Sequence, residues 1–443
     1  MPKLSSYACS ACGTRSVGPL GRCPGCGAWG TIVAEASPQR AERVASPGLS
    51  AQRLDEVDAL ALERTATGIG EVDRVLGGGW VAGSASLLAG EPGVGKSTLL
   101  LQLADASALA GRSTLYVAGE ESPGQVKLRA MRLGVGGALT LTRETDVETL
   151  AAHLRASAPA LAIVDSIQTL SSDDGAAAGS PSQVRDATAL LTRAAKEVGT
   201  ALVLIGHVTK QGVIAGPKVI EHVVDATFAL ESAAGLRVLR SLKNRFGPTG
   251  EVGVFEMATS GLVVVDNPSA AFLAERPVGV PGSVVAAVLE GQRPLLVEVQ
   301  ALASKSPYSA PRRVVQGLDA RRVDVVLAVL ERRLGLPLDT LDVYVNVAGG
   351  LRVTDPGADL AVAAAVVSAV TNRAAPDGVA LAGEVGLAGE LRQVAQFDGR
   401  AREAARGRHE RLIGPPQRDA SVAPAALAAR SVRDALDMLW GGD

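Results

Sequence analysis

A glycine-rich stretch carries the strongest chemical signal in the sequence. Residues 90–98 fit the pattern G-x-x-x-x-G-K-[ST] of a phosphate-binding loop. In such a loop the glycines let backbone amides turn towards a triphosphate at the positive end of a helix. Lys96 would reach the β- and γ-phosphates, and the Ser97 hydroxyl would hold Mg²⁺. The pattern therefore predicts binding of ATP and Mg²⁺ by the stretch Gly90, Glu91, Pro92, Gly93, Val94, Gly95, Lys96, Ser97 and Thr98.

The segments around this loop predict the sheet that would position it. An apolar run before the loop indicates a buried strand, and residues 99–104 after it indicate a helix. Further strands are predicted at Thr114–Val117, Leu161–Ser166 and Ala201–His207, with helical segments between them. This alternation is typical of a parallel α/β sheet, in which ligands bind at the carboxyl ends of the strands.

Polar residues at those strand ends are candidates for the chemistry of hydrolysis. Asp165 would hold Mg²⁺ through the water shell of the ion, with a helix N-cap as the alternative role. Glu120 would polarise the attacking water, and Glu121 is the alternative for that role. His207 would sense the γ-phosphate, or would simply be a hydrogen-bonded polar residue. Beyond it, Lys210 and Lys218 lie in a glycine-containing loop that would line a channel for single-stranded DNA or be an ordinary solvated loop.

All four cysteines lie near the start of the sequence, as two C-x-x-C pairs. Cys9 and Cys12 form the first pair, and Cys23 and Cys26 form the second. Four thiolates at this spacing predict a structural zinc ion with tetrahedral coordination. Disulfides or a redox pair are the alternatives. A cytoplasmic location disfavours disulfides, and the presence of two clustered pairs disfavours a single redox C-x-x-C site. A module this small would take its folding energy from the metal.

Composition places few limits on the partners. The chain of 443 residues has a net charge of −2, so any site for a polyanion must be a local patch. The sequence has no long uninterrupted apolar stretch and no signal-peptide pattern at its beginning, which predicts a cytoplasmic protein that does not span a membrane.

Several motifs together resemble the bacterial RadA (Sms) family of DNA-repair ATPases. They are the cysteine pairs, residues 67–98, Val117–Ser122, Gly206–Lys210 and the stretch Lys243-Asn244-Arg245-Phe246-Gly247, which looks like the K-N-R-F-G signature of that family. The resemblance implies a RecA-like core, a homo-hexameric ring of the DnaB-helicase type, and binding of single-stranded DNA and branched recombination intermediates. It also implies cooperation with the RecA recombinase. By the same resemblance, Lys243 and Arg245 would act on the ATP of the neighbouring subunit.

The C-terminal third resembles the proteolytic domain of Lon protease, which the RadA family also carries. Strands are predicted at 283–289, 294–299 and 341–347, an amphipathic helix at 324–334 and a buried helix at 359–370. Gly357 stands where the Lon pattern has its nucleophilic serine, and Arg400 aligns with its lysine. A guanidinium stays protonated and cannot act as a base, so peptidase chemistry is expected to be absent.

A basic stretch follows the first strands of this third. Between residues 305 and 333 basic side chains outnumber acidic ones, which would suit phosphate contacts. A solvated surface or contacts between subunits are the alternatives. The candidate DNA-binding residues here are Lys305, Arg312, Arg313, Arg321 and Arg322.

These observations predict four segments and one function. The segments are a zinc module at 1–32, a linker at 33–61, a RecA-like P-loop ATPase core at 62–266 and a non-catalytic Lon-protease-like α+β domain at 267–443. The predicted function is an ATP-dependent motor on single-stranded DNA that acts in homologous recombination and repair by branch migration. A regulatory ATPase of the KaiC type and an ATP-dependent peptidase are the alternatives.

Overall fold

The computed structural model describes residues 7–16, 18, 20–34, 53, 64–136, 139–172, 178–207, 220–308, 310–417 and 426–441. The chain forms two compact units, Met1–Leu60 and Ala61–Asp443. Apart from residues 33, 34 and 53, the predicted linker at 33–61 lies outside the described residues.

The first unit contains a small antiparallel sheet of three strands. Strand β1 (Tyr7–Cys9) lies between β2 (Arg15–Ser16) and β3 (Ile32–Ala34). Cys9 pairs with Ile32 in this register, so the first cysteine pair leaves the sheet at its end. The strands thereby bring the start and the end of the module together around the cysteines.

The second unit contains a nine-stranded sheet built around the glycine-rich loop. Its strand order is β14-β13-β12-β11-β6-β10-β9-β7-β8. The strands β6 to β11 are parallel to one another, whereas β12, β13 and β14 extend the sheet from β11 by antiparallel hairpins. Their bounds are β6 Ala85–Gly90, β7 Thr114–Ala118, β8 Thr140–Thr142, β9 Leu161–Asp165, β10 Ala201–His207, β11 Ala226–Ala233, β12 Leu236–Asn244, β13 Val252–Ala258 and β14 Gly261–Val264.

Helices cover both faces of this sheet. The helices are α1 Gly70–Leu76, α2 Lys96–Leu109, α3 Pro123–Leu133, α4 Val147–Ser157 and α5 Pro181–Val198, and a short ribbon joins β4 (Arg64–Thr65) to β5 (Trp80–Val81). Side chains alternate along each strand, so Leu88 packs with α1, α2 and α3, whereas Leu87 packs with α4 and α5. A three-layer α/β arrangement results, as the alternation of strands and helices predicts.

A seven-stranded sheet forms the C-terminal part of the same unit, with the order β17-β18-β16-β15-β19-β22-β23. Its strands are β15 Ser283–Glu290, β16 Arg293–Lys305, β17 Arg313–Gln316, β18 Leu341–Val347, β19 Val379–Leu381, β22 Arg411–Gly414 and β23 Ala426–Ala428, with a separate ribbon of β20 (Glu384–Val385) and β21 (Leu391–Arg392). The helices are α6 Pro268–Leu273, α7 Ala320–Val329, α8 Asp359–Thr371, α9 Phe397–Arg406 and α10 Val432–Trp440.

The two sheets of the second unit share one hydrophobic core. Val238 and Val254 of the nine-stranded sheet belong to the same buried cluster as Val297 and Val345 of the seven-stranded sheet. A hydrogen bond joins the same two parts, because the backbone amide of Ala234 donates to the carbonyl of Gly349. The predicted boundary at residue 267 falls between β14 and α6, and it stays a prediction with the boundaries at 32 and 61.

Charged side chains also join the two sheets. Arg240 on β12 pairs with the buried carboxylate of Glu290 at the end of β15. Arg293 reaches Glu71 on α1 at 2.8 Å, and Glu71 also pairs with Arg74. Among the helices of the described residues, none is both long enough and apolar enough to cross a lipid bilayer.

Candidate nucleotide site and zinc centre

The glycine-rich loop connects the carboxyl end of β6 to the start of α2. Gly95 directly precedes the helix and has a φ of 115°, a backbone angle that residues with a side chain rarely adopt. A Cβ added to Gly90 would lie 2.5 Å from the carbonyl oxygen of Leu230, so that β11 approaches the loop closely. The loop therefore has the tight turn and the close backbone approach that a phosphate cradle requires. This geometry fits a triphosphate at the N-terminus of α2.

Lys96 brings the loop and the predicted carboxylates together. Its side chain is buried, and its ammonium group donates to the carbonyls of Gly90 at 2.8 Å and Glu91 at 2.9 Å. Burial lowers the pKa of Lys96, and the nearby carboxylates of Asp165 and Glu120 oppose that shift. The lysine thus faces both predicted acidic residues, as a site for Mg²⁺ and ATP requires.

Asp165 lies at the carboxyl end of β9 with its carboxylate held by a phenol. The hydroxyl of Tyr116 donates to Asp165 Oδ2 at 2.7 Å, and both side chains are buried. Burial and the Asp165 carboxylate raise the pKa of Tyr116 well above its usual range, so the phenol keeps its proton and remains a donor. The sequence pattern predicts residue 116 only as part of the strand Thr114–Val117. Its place two residues before the β7 terminus was the signal that could have identified it.

Glu120 and Glu121 follow β7 and have different partners. The Ser166 hydroxyl donates to Glu120 Oε1 at 2.6 Å, whereas Glu121 forms an ion pair with Arg129 on α3. A carboxylate committed to an ion pair is a poorer proton acceptor, which favours Glu120 as the residue that orients water. The role itself stays a prediction.

The sensor and channel predictions concern the neighbouring strand β10. In the parallel register His207 pairs with Gly90, so its backbone lies beside the start of the loop. The His207 side chain and the residues Lys210 and Lys218 lie outside the part of the chain that the structure describes. Their roles stay predictions.

Lys243 and Arg245 lie at the opposite end of the sheet from the glycine-rich loop. The Arg245 guanidinium contacts Asp225 at 3.2 Å, and the same carboxylate accepts the amide of Ala85 at the amino end of β6. Lys243 donates to the carbonyl of Val224 at 2.7 Å. Its pKa is lowered, mainly because the ammonium group is partly removed from water and also because the positive charge of Arg245 is nearby. Neither cation is placed beside the loop of its own subunit.

The turn that carries these two cations is held rigidly. The Asn244 side chain donates to the carbonyl of Leu76 at 3.0 Å and accepts the amide of Phe246 at 2.9 Å. Arg64 donates to the Phe246 carbonyl from the ribbon beside α1. The turn is therefore anchored on the end of α1, and its position is set by the core.

The basic stretch of the C-terminal part divides into two groups. Arg322 makes a bidentate contact with the buried carboxylate of Asp359 at 2.6 and 2.7 Å, and Arg313 donates to the backbone carbonyls of Leu338 and Leu341. Both side chains therefore stabilise the fold. The other members are exposed, namely Lys305, Arg312 and Arg321.

The four cysteines converge in the first unit. Their sulfur atoms all lie within 4.8 Å of one another, which fits one tetrahedral ion. The Thr31 hydroxyl lowers the pKa of Cys9 to about 6. The Ala28 amide acts to lower the pKa of Cys26, but the sulfurs of Cys12 and Cys23 outweigh it and raise this pKa to about 12. Thiols this close cannot all ionise without a cation among them, so the donor set fits Zn²⁺.

Gly357 and Arg400, the positions aligned above with the Lon serine and lysine, are adjacent in the fold, and Arg400 forms a buried ion pair with Asp355. A Cβ added to Gly357 would lie 2.6 Å from Arg400 Nη1. Arg400 is fully buried and contacts Asp355 at 2.5 Å, and it donates to the carbonyls of Ala287 at 2.7 Å and Ala395 at 3.0 Å. The guanidinium occupies the space where a serine side chain would lie, so this pair cannot form an activated nucleophile.

Comparisons with known proteins agree with this geometry. Three family models match, described as "AAA domain" over residues 51–213, "Rubredoxin metal binding domain" over 7–34 and "Lon protease (S16) C-terminal proteolytic domain" over 332–439. They confirm the predicted fold class, with its zinc ribbon, P-loop ATPase core and Lon-like domain. They also confirm ATP, Mg²⁺ and Zn²⁺ as the cofactors.

Curated relatives match nearly the whole chain. Proteins described as "DNA repair protein RadA" are 46% identical in Pseudomonas aeruginosa, over 98% of both chains, and 44% identical in Bacillus subtilis, over 93% of this chain and 92% of the relative. Among solved structures, a KaiC-like protein from Pyrococcus horikoshii aligns with 46% of this chain and 99% of its own, at 20% identity and a TM-score of 0.39. That likeness is too weak to support an inference about function.

Proposed function

Because the chain belongs to the RadA family of DNA repair proteins, we propose that it is a ring-forming motor of the DnaB-helicase type. It binds single-stranded DNA, hydrolyses ATP and drives branch migration of recombination intermediates, in homologous recombination and DNA repair. The ring is a homo-hexamer that cooperates with the RecA recombinase in the cytoplasm. The main observation in support of the proposal is that, within one subunit, the Lys243–Gly247 turn lies at the opposite end of the sheet from the glycine-rich loop.

The residues around the loop each have a part in hydrolysis. Lys96 binds the β- and γ-phosphates, while Ser97 and Asp165 hold Mg²⁺, which neutralises charge on the phosphates. Glu120 orients the attacking water in line with the γ-phosphate and accepts its proton. The burial of Lys96 and Asp165 supports these roles, since electrostatic contacts are stronger where water is excluded.

The cations of the Lys243–Gly247 turn act in the neighbouring subunit. Arg245 is held beside Ala85, five residues along β6 from Gly90, so it lies about 16 Å from its own loop at 3.3 Å per residue. A ring with head-to-tail interfaces presents this turn to the loop of the next subunit. There the cations stabilise the charge that develops in the transition state. Hydrolysis is thereby coupled to the movement of one subunit relative to the next.

Contacts with the DNA backbone come from the exposed members of the basic stretch. The Arg312 guanidinium lies 4.4 Å from the Tyr308 ring centre, and Tyr308 is 55% exposed. A base can stack on such an aromatic side chain while the guanidinium contacts phosphate. We assign DNA contacts to Lys305, Arg312 and Arg321, and not to Arg313 and Arg322, whose donors are used inside the fold.

Turnover and unwinding measured together test this function. ATP hydrolysis should rise when single-stranded DNA is added, and a forked DNA substrate should be unwound. Lys96→Ala should abolish both activities, because the ammonium contact with the phosphates is lost. Arg312→Ala should weaken DNA binding and reduce its salt dependence, whereas Arg155→Ala, an exposed arginine on α4, should change neither.

Two outcomes would overturn the proposal. ATP turnover that is indifferent to single-stranded DNA would favour a regulatory ATPase of the KaiC type. Digestion of casein by the purified protein would favour a peptidase, against the geometry of Gly357 and Arg400.

A further inference from the structure

The ends of β7 and β9 are joined by contacts that none of the roles above uses. In the parallel register Ala118 pairs with Asp165, and the amide of Gly119 donates to the Asp165 carbonyl at 2.7 Å. The two predicted acidic residues, Asp165 and Glu120, therefore leave adjacent strand ends. Each accepts a hydrogen bond from one further hydroxyl group, from Tyr116 and Ser166 respectively.

Tyr116 approaches Asp165 from within the core. Residue 116 lies two positions before the end of β7, so its side chain shares the α2 face of the sheet with Ala118. Tyr116 is 1% exposed, and its hydroxyl donates to Asp165 Oδ2 at 2.7 Å. A buried donor on one carboxylate oxygen fixes the plane of the carboxylate before any ligand binds.

Ser166 approaches Glu120 from the residue that follows β9. Ser166 is fully buried, and its hydroxyl donates to Glu120 Oε1 at 2.6 Å. Its own backbone is fixed, because the Thr169 hydroxyl donates to the Ser166 carbonyl at 2.7 Å. A Cβ at position 119 would lie only 2.0 Å from Thr169 Oγ1. The glycine at 119 therefore leaves the room that the Thr169 side chain occupies. The contact to Glu120 therefore comes from a rigid donor.

We propose that Tyr116 and Ser166 are positioning residues for ATP hydrolysis: Tyr116 orients the Asp165 carboxylate for Mg²⁺, and Ser166 aims the Glu120 carboxylate at the attacking water. The inference rests on the proposed roles of Asp165 and Glu120. Groups that hold a metal-binding or proton-accepting side chain in place affect turnover without touching the substrate.

The Tyr116 half is tested by Tyr116→Phe, which removes only the hydroxyl group. The Mg²⁺ concentration for half-maximal binding of a non-hydrolysable ATP analogue should rise about tenfold, the size typical of losing a partner behind a metal ligand. Turnover at saturating Mg²⁺ should return to within about twofold of the original value, because Asp165 itself is retained. An unchanged Mg²⁺ dependence would overturn this half.

The Ser166 half is tested by Ser166→Ala, with the near-isosteric Ser166→Cys as a second variant in case the first lowers the melting temperature. In either variant kcat should fall about tenfold while KM for ATP stays unchanged, since the lost contact concerns the water and not the nucleotide. Ser107→Ala is the matched control, because Ser107 is a buried serine that hydrogen-bonds Thr114 at the other end of β7. It should leave kcat unchanged.

A double-mutant cycle separates this inference from the proposed function. In a Glu120→Gln background, Ser166→Ala should cause no further loss, because Ser166 acts only through Glu120. If Glu120→Gln lowers turnover, a Ser166→Ala substitution that is neutral in the original protein, or that lowers the residual turnover of Glu120→Gln further, would overturn the positioning role alone. Retained turnover in Glu120→Gln would instead remove the proposed role of Glu120.

Discussion

Two inactive variants should restore activity to each other when their subunits mix in one ring. Lys96→Ala removes the phosphate contact but keeps the turn with Arg245, whereas Arg245→Ala keeps the loop and loses the turn cation. Within one subunit these residues are about 16 Å apart, since Arg245 is held beside Ala85 and Gly90 lies five residues further along β6. A site that takes its loop from one subunit and its cation from the next can therefore be complete in a mixed ring.

The size of the recovery follows from the interface geometry. In an equimolar mixture half of the subunits carry an intact loop, and half of their neighbours carry an intact Arg245. Active interfaces should thus make up about one quarter of the total in rings with head-to-tail contacts. If both residues acted within one subunit, every subunit would carry one defect and turnover would remain at the level of the separate variants.

The assay is ATP turnover on single-stranded DNA at constant total protein, after the subunits have been allowed to exchange. Exchange is monitored separately, by fluorescence energy transfer between donor-labelled and acceptor-labelled subunits in the same mixture. Demonstrated exchange, beside a mixture of the two variants that stays inactive, would refute action across the interface.

Three further predictions concern stability and metal binding. Cys23→Ala should reduce bound zinc from about one ion per chain to none and unfold the three-stranded module, as measured by zinc release and by the rate of limited proteolysis within residues 1–60 of the full chain. Arg400→Met should destabilise the second unit by about 3–5 kcal/mol in urea unfolding, because Asp355 is left buried without its cation, and adding Asp355→Asn should recover part of that loss, since the neutral side chain still offers an acceptor to the amides of Leu289 and Gly357. Burial lowers the pKa of His409 below its usual value of 6.5, so the unfolded chain takes up this proton at a higher pH than the folded chain. Stability from this residue should be present above pH 6.5 and lost as the pH falls through the lowered value, and His409→Asn should flatten the fall in melting temperature between pH 7.5 and pH 5.5.

Local patterns predicted the parts of the fold that depend on neighbours in sequence. The glycine-rich loop, its flanking strand and helix, and the apolar helix α8 need only a few consecutive residues to be recognised, and α8 is buried along most of its length. Helix α7 shows where such patterns fail. It begins at Ala320 behind the N-cap Asp319, four residues before the predicted start, although the capping residue was present in the sequence.

Contacts between distant residues could not be predicted from local pattern. The charge count around Arg313 and Arg322 suggested a surface for DNA, yet Arg322 turns inwards to Asp359, which lies 37 residues away in sequence. The hydrogen bonds of Tyr116 and Ser166 could not be predicted for the same reason, because each donates to a carboxylate at another strand end. A residue's charge is visible in the sequence, whereas its partner depends on the tertiary fold.

The buried ion pair of Arg400 with Asp355 makes the serine and lysine of a Lon-type pair difficult to introduce one at a time. A serine introduced at 357 would collide with the Arg400 guanidinium, since even its Cβ would lie 2.6 Å from Nη1. A lysine introduced at 400 would lack the planar fork that satisfies Asp355 and two backbone carbonyls at once. Each substitution is penalised unless the other is made with it, so both residues would have to change together.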